Sequence, residues 1–404
     1  MSRAPRGLPP AGRFALIAAL VSSFGQTFFI GLFGADFRGT FGLTEAVLGA
    51  VYGSATLASG LLMFWLGSIA DHWQLRRAIL FSSLLLASGA LLTGLAGQVW
   101  MLAMGLFLLR LGGQGLTGHL AVVAAARYAH RRRGRAVAMA SYGFILGEAS
   151  FPLIVALALD VVSWQQVWLF AAGLLLLGLL PLLYVLARQL PAVEVEPASA
   201  KDAAATRSPI ALKRQDLFAH GGFLRVLCIV LLPPVLITAV FLHQGTLAEM
   251  LAWERTGIAR GFVLFAAAQA LMAFSGGRLI DRFSARWLLR FSLMPAALGM
   301  FGLGLLPSSP ALWLMFAGLG MTAGLNGVIS SAVWVELFGT AQLGMIRGVY
   351  AALMVISTAL GPVVLGWLLG LGVSLLAIGL VLLLYAVLAP MLAVPGIRGF
   401  SELR

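Results

Sequence analysis

Gly67-Ser68-Ile69-Ala70-Asp71-His72-Trp73-Gln74-Leu75-Arg76-Arg77 closes one long apolar run, and Gly277-Arg278-Leu279-Ile280-Asp281-Arg282-Phe283-Ser284-Ala285-Arg286 closes another. Each is a Gly-x-x-x-Asp unit trailed by basic residues, and Asp71 and Asp281 stand 210 residues apart. Repetition at that distance implies that one half of the chain duplicates the other.

The surroundings of both units are oil-like. Of 404 residues, 61% are hydrophobic and only 10% are charged. A soluble domain is roughly half apolar and about one quarter charged, so water-soluble domains are excluded. Disorder is excluded for the opposite reason, because a disordered chain needs low hydrophobicity. A helix crosses a bilayer in about 20 apolar residues. Twelve such spans are predicted at 14–34, 45–70, 78–96, 99–124, 136–160, 165–187, 223–246, 258–280, 286–306, 311–337, 345–371 and 374–395. Turn signals separate them, among them Gly42-Leu43-Thr44 and Pro307-Ser308-Ser309-Pro310. The fold class is therefore an all-α polytopic membrane protein of two pseudo-symmetric six-helix bundles. Residues 1–187 and 222–404 form the bundles, and the polar stretch 188–221 reads as a flexible cytoplasmic linker.

The net charge of +13 could suggest nucleic acid, but the basic residues sit in short clusters between apolar runs. With the N-terminus placed in the cytoplasm, 23 of the 27 Lys and Arg residues fall on the cytoplasmic side. Three fall outside, and Arg110 lies within a span. That bias predicts that both termini are cytoplasmic. Arg3, Arg6 and Arg13 precede an apolar run without a cleavage site, which reads as a retained first span. The single cysteine, Cys228, permits no intramolecular disulfide. No cluster has metal-ligand spacing and no Gly-x-x-x-x-Gly-Lys-Ser/Thr loop occurs. Neither a metal, a cofactor nor nucleotide-driven transport is expected.

The twin units resemble the hallmark loops of the major facilitator superfamily, and the resemblance covers essentially the whole chain. In the first copy it rests on Gly67, Asp71, Arg76 and Arg77, with His72, Gln74 and Leu75 departing from the pattern; in the second it rests on Gly277, Asp281 and Arg282. It implies alternating access, with these residues as a cytoplasmic gate, Asp71 meeting the start of span eleven and Asp281 the start of span five. Glycine here would allow close helix approach. It also implies a monomer in a bacterial inner membrane.

Polar residues at mid-membrane depth are the candidates for the transport pathway. Arg110 lies about 18 Å into span four at 1.5 Å per residue, where it needs a cavity or a partner. Arg110-Leu111-Gly112-Gly113-Gln114-Gly115 resembles the family's fourth-span arginine–glycine motif, associated with proton coupling. Glu148 lies at similar depth in span five and is the expected partner, with a static ion pair as the alternative. Gly143-Phe-Ile-Leu-Gly147-Glu148-Ala-Ser-Phe-Pro152 partly resembles the exporters' fifth-span glycine–proline motif, with glutamate where proline usually follows. Gln26, Gln114 and Asn326 fall on spans that line the cavity in the family; Tyr52 and Gln269 are secondary candidates. His243 is placed near the outer end of span seven and His119 toward the cytoplasmic end of span four, both able to titrate near neutral pH. Pro233-Pro234 predicts a hinge or kink in span seven. Asp36 and Arg38 read as solvated, and Glu336 and Arg347 as a pair across a cytoplasmic turn.

The expected function is secondary transport of a small organic solute, anionic or zwitterionic, coupled to protons. The alternative is a proton-driven exporter of amphipathic or hydrophobic compounds. An enzyme is not expected, since no convergent catalytic set occurs at one depth.

Overall fold

The computed structural model describes residues 10–129, 133–190, 214–339 and 343–396. The predicted linker between 191 and 213, Arg131, Arg132 and the tail beyond 396 lie outside them. Among the described residues, eleven helices are long and apolar enough to cross a membrane. The bent pair Pro10–Gly25 with Thr27–Phe41, turned by 42°, makes twelve when counted as one span, span one. The spans agree with the sequence reading to within a few residues: span two is Glu45–His72, span four Val99–Tyr128 and span five Arg135–Leu159. Span seven is Gly221–Leu242, span eight Arg255–Phe283, span ten Ser308–Phe338 and span eleven Met345–Gly370.

Local chemistry ends and restarts these helices. Gly42 takes a left-handed φ of 62°, closing span one, and Thr44 then accepts the Val47 amide to start span two. Ser163 and Gln166 form a reciprocal capping box at the start of span six. In span seven the helix stops at Val230 and resumes at Leu232, where Pro233 and Pro234 occupy the first turn. Proline in a first turn lacks only an amide that would be unpaired there. The predicted interruption is thus a break in the helix at Leu231. Pro362 inside span eleven removes the amide that would bond the Thr358 carbonyl. The Thr238 hydroxyl lies 3.2 Å from that carbonyl, but its one hydrogen has a nearer acceptor in the Pro234 carbonyl at 2.6 Å.

The chain divides into two compact units, Met1–Leu43 with Ser54–Val195, and Thr44–Gly53 with Glu196–Arg404. The first unit carries an aromatic core in which Phe29 and Phe33 pack on Trp168, with ring centroids 5.2 and 5.0 Å apart. The second unit is cored by Phe223, Trp334 and Tyr350 at one end and by Phe241, Phe262 and Phe316 at the other. Span one runs on as helix Gly34–Phe41, which leaves Asp36 and Arg38 half-buried. They are not the solvated pair the sequence suggested, because the helix continues where a loop was expected.

Candidate functional site

Two departures from regular helix meet inside the first unit. In span one, the helix Pro10–Ser22 tightens at Ser23–Gly25 and breaks at Gln26, whose backbone is extended. In span four, Arg110–Thr117 widens into a π-helix, a form that frequently marks functional sites. Gly113 lies against Gly25: a Cβ on Gly113 would sit 2.7 Å from the Gly25 Cα. Only glycine lets the two backbones approach so closely.

That approach brings Arg110 onto the break. The side chain is buried, with 2% of the residue exposed. Its Nη1 donates to the Gly25 carbonyl at 3.1 Å and to the Thr27 hydroxyl at 3.4 Å, and its Nε donates to Thr56 on span two at 3.1 Å. A break in a membrane helix frees carbonyls that lipid cannot satisfy. The guanidinium, with five donors in a planar fork, answers that need.

Span five reaches the other side of the same break. Gly147 packs on Ser23, and the next residue, Glu148, is half-buried. Pro152, one turn on, removes the amide that would bond the Glu148 carbonyl. Gln26 and Gln114 are half-buried at the break and in the π-helix. The Gln114 Oε1 is shielded and meets no donor among the described residues. Sequence reasoning placed Arg110, Glu148, Gln26 and Gln114 in one layer but missed Thr27 and Thr56. A threonine within an apolar span carries no distinguishing signal.

In the second unit, Asn326 and Ser330 on span ten both bond the Tyr350 hydroxyl on span eleven. His243 lies where span seven ends, 1% exposed. Its Nδ1 is 2.8 Å from Glu45 Oε2, and its Nε2 is 2.9 Å from the Pro362 carbonyl. Glu45 is a further residue that the sequence reading passed over. An acid in the first turn of a span reads as a solvated helix end, yet its side chain is only 11% exposed.

The hallmark loops are anchored differently. In the first, Arg127 at the end of span four donates to the Ala70 carbonyl at 2.6 Å and pairs with Asp71 at 2.5 Å. His119, also on span four, bonds the Gly67 backbone. Arg76 reaches Gln74 at 3.1 Å, and Arg77 is exposed. In the second, Asp281 and Arg282 are exposed, with the Arg282 guanidinium 5.1 Å from the centre of the Phe283 ring. A Cβ on Gly277 would meet nothing within 4 Å, so this glycine is not required by close packing.

Glu336 does not pair with Arg347. It accepts the Ala285 amide at 2.6 Å and the Arg286 amide at 3.3 Å, while Arg347 donates to the Ser331 carbonyl at 2.7 Å. A carboxylate gains more from the unpaired amides of a helix start than from an exposed cation.

At the start of span seven, His220 accepts the Phe223 amide through Nδ1 at 3.3 Å, and its ring lies 5.0 Å from that of Phe338. Burial pushes its pKa below the ordinary histidine value.

No curated protein sequence matches the chain significantly. Solved structures match it along nearly its whole length. A nucleoside transporter, NupG, aligns with a TM-score of 0.73 at 14% identity, over 96% of this chain and 100% of that one. A POT family transporter in complex with 5-aminolevulinic acid aligns at 0.72 and 14% identity, over 98% of each chain. The inward-open xylose transporter XylE from E. coli aligns at 0.71 and 15% identity, over 97% and 98%. At such identities the likeness concerns the fold. The Major Facilitator Superfamily sequence profile matches residues 15–244 and 234–398. With that coverage, this integral, multi-pass membrane protein belongs to the Major Facilitator Superfamily.

Proposed function

We propose that the chain is a proton-coupled secondary transporter of a small anionic or zwitterionic solute, working by alternating access, and not an enzyme. The observation that carries this reading is Arg110, an arginine buried in mid-span and held on the break of span one. A cation at that depth is costly, and where one is kept it commonly marks a pathway. Glu148 flanks the same break from span five and is the group proposed to exchange a proton against solute or arginine. Gln26 and Gln114 are the proposed neutral polar contacts of the first unit, and Asn326 is the proposed pathway residue of the second. Asp71, Arg76, Arg77, Asp281 and Arg282, with Gly67 and Gly277, form the proposed cytoplasmic gate.

One observation favours the second reading, export of amphipathic compounds. A cavity of about 550 Å³ opens between spans one, five and six, lined by Leu20, Phe24, Phe151, Ile154 and Phe170. Its size suits a drug-like molecule, and its walls are nearly all apolar.

Reconstitution into liposomes tests both readings. A thermal-shift screen of organic anions and hydrophobic compounds identifies a binder, and uptake is then followed with and without a pH gradient. Gradient-driven flux of an anion that falls in Arg110→Ala and Glu148→Gln supports the first reading. Flux of a hydrophobic cation that survives both changes favours the second, and product formation without flux defeats both.

A further inference from the structure

We propose that Glu45 and His243 hold one proton between them, and that this proton latches the start of span two to the end of span seven. Both residues belong to the second unit. The imidazole is enclosed by acceptors on both sides: Nε2 faces the Pro362 carbonyl and Nδ1 faces a carboxylate oxygen. A carbonyl cannot donate, so Nε2 carries hydrogen. That leaves Nδ1 with only a lone pair in a neutral ring, 2.8 Å from Glu45 Oε2. Two lone pairs at that separation repel, whereas a proton between them makes a short charge-assisted bond. The arrangement therefore binds a proton: the neutral ring and ionised carboxylate gain one H⁺, and the pair becomes imidazolium and carboxylate with no net charge.

The rest of the pocket completes the fit. Thr246, on helix Gln244–Leu251, donates to Glu45 Oε1 at 2.6 Å, holding the carboxylate in place. Gly366 on span eleven makes the space, since a Cβ there would lie 2.5 Å from the Glu45 carbonyl oxygen and 3.0 Å from His243 Cε1. Ionisable and polar groups on the neighbouring elements can tune the pair. Span two offers Glu45 itself and, two turns on, the buried Tyr52, and helix Gln244–Leu251 offers Thr246 and an exposed Glu249. Span eleven presents the Pro362 carbonyl here, its Tyr350 and Arg347 standing more than three turns away. Helix Leu232–Leu242 of span seven carries no ionisable side chain.

Proton loss sets lone pair against carboxylate and removes the tie on the first turn of span two. The proposal deepens the proton-coupled reading, on which its consequence for flux rests, while proton holding itself involves no solute. The test is ¹⁵N-histidine NMR of the full chain in nanodiscs, with His243 assigned by its loss in H243Q. In the wild type, both ring nitrogens of His243 are expected to carry hydrogen at about pH 7. E45Q should remove that behaviour. A His243 signal indifferent to E45Q, charged or neutral, overturns the proposal.

Hydrogen exchange of amides 46–50 gives a second measure. Their protection should fall about tenfold or more as Nδ1 deprotonates, the scale of one charge-assisted bond. Should either variant fail to fold, the wild-type titration decides alone, and protection that ignores the protonation of Nδ1 sinks the latch. A proton held as described alongside pH-independent solute flux leaves the latch standing and removes the proton-coupled reading.

Discussion

Replacing Arg110 by alanine removes its hydrogen bonds to Gly25 and Thr27 at the break in span one and to Thr56 on span two. A buried carbonyl at Gly25 left without a donor costs about 1–3 kcal/mol. Arg110→Ala is therefore expected to lower the thermal midpoint in detergent and to abolish flux. Arg110→Lys keeps the charge but loses the planar fork. It should recover part of the stability, and transport should remain at least about tenfold down, as expected when a positioned polar contact is misplaced. A lysine variant with wild-type flux would mean that charge alone suffices.

His220 gives a pH prediction of defined sign. Burial lowers its folded pKa, so the unfolded chain takes up the proton first on acidification. Stability is fully present above the unfolded value near about 6.5 and is lost as pH falls from there through the lowered folded value. Protonation also costs Nδ1 its role as acceptor for the Phe223 amide. His220→Gln should flatten the acid limb of a plot of thermal midpoint against pH, and an unchanged limb would assign it to another group.

Helices bring these residues together through close approaches that tolerate little change. Gly113→Ala places a methyl against the backbone of Gly25, with no flexible side chain to yield. Overpacking of this kind costs about 1–3 kcal/mol, and because it moves span four off the break, flux should fall with stability. In the second unit, Glu336 caps the start of span nine through two amides. Glu336→Ala should cost about 1 kcal/mol, as other lost caps do, measurable as faster exchange of the Ala285 and Arg286 amides.

The sequence made the spans legible because each is a sustained apolar run with turn chemistry at its ends, as at Gly42 and Ser163. It also placed Arg110 and Glu148 at one depth, since depth follows from counting. The break at Gln26 was not legible, because neither proline nor a glycine pair marks it. It exists because Arg110, 84 residues later in the chain, supplies the donor that makes an open carbonyl tolerable. Glu45 was missed for a related reason: its partners lie about 200 residues away, on helix Gln244–Leu251 and at His243.

At the scale of the molecule, the charge bias predicts that both chain ends face the cytoplasm. Cys228 is the sole cysteine, so Cys228→Ser gives a background for single labels near residue 2 and residue 401. Both labels should react with an impermeant maleimide from the same side in oriented vesicles. Reaction from opposite sides would mean an odd number of crossings, which a doubled six-helix plan cannot give.

The widened stretch of span four bears on how this chain tolerates insertion and deletion. A π-helix is in effect an α-helix with one extra residue accommodated in its coil. Removing a single residue between 111 and 117 would therefore let the coil relax to α geometry and leave the flanking turns nearly in register. His119 and Arg127 would keep their hold on the loop at Gly67 and Asp71. The same deletion between 120 and 126, in regular α-helix with no spare residue to absorb it, would swing Arg127 by about 100° and part it from Asp71.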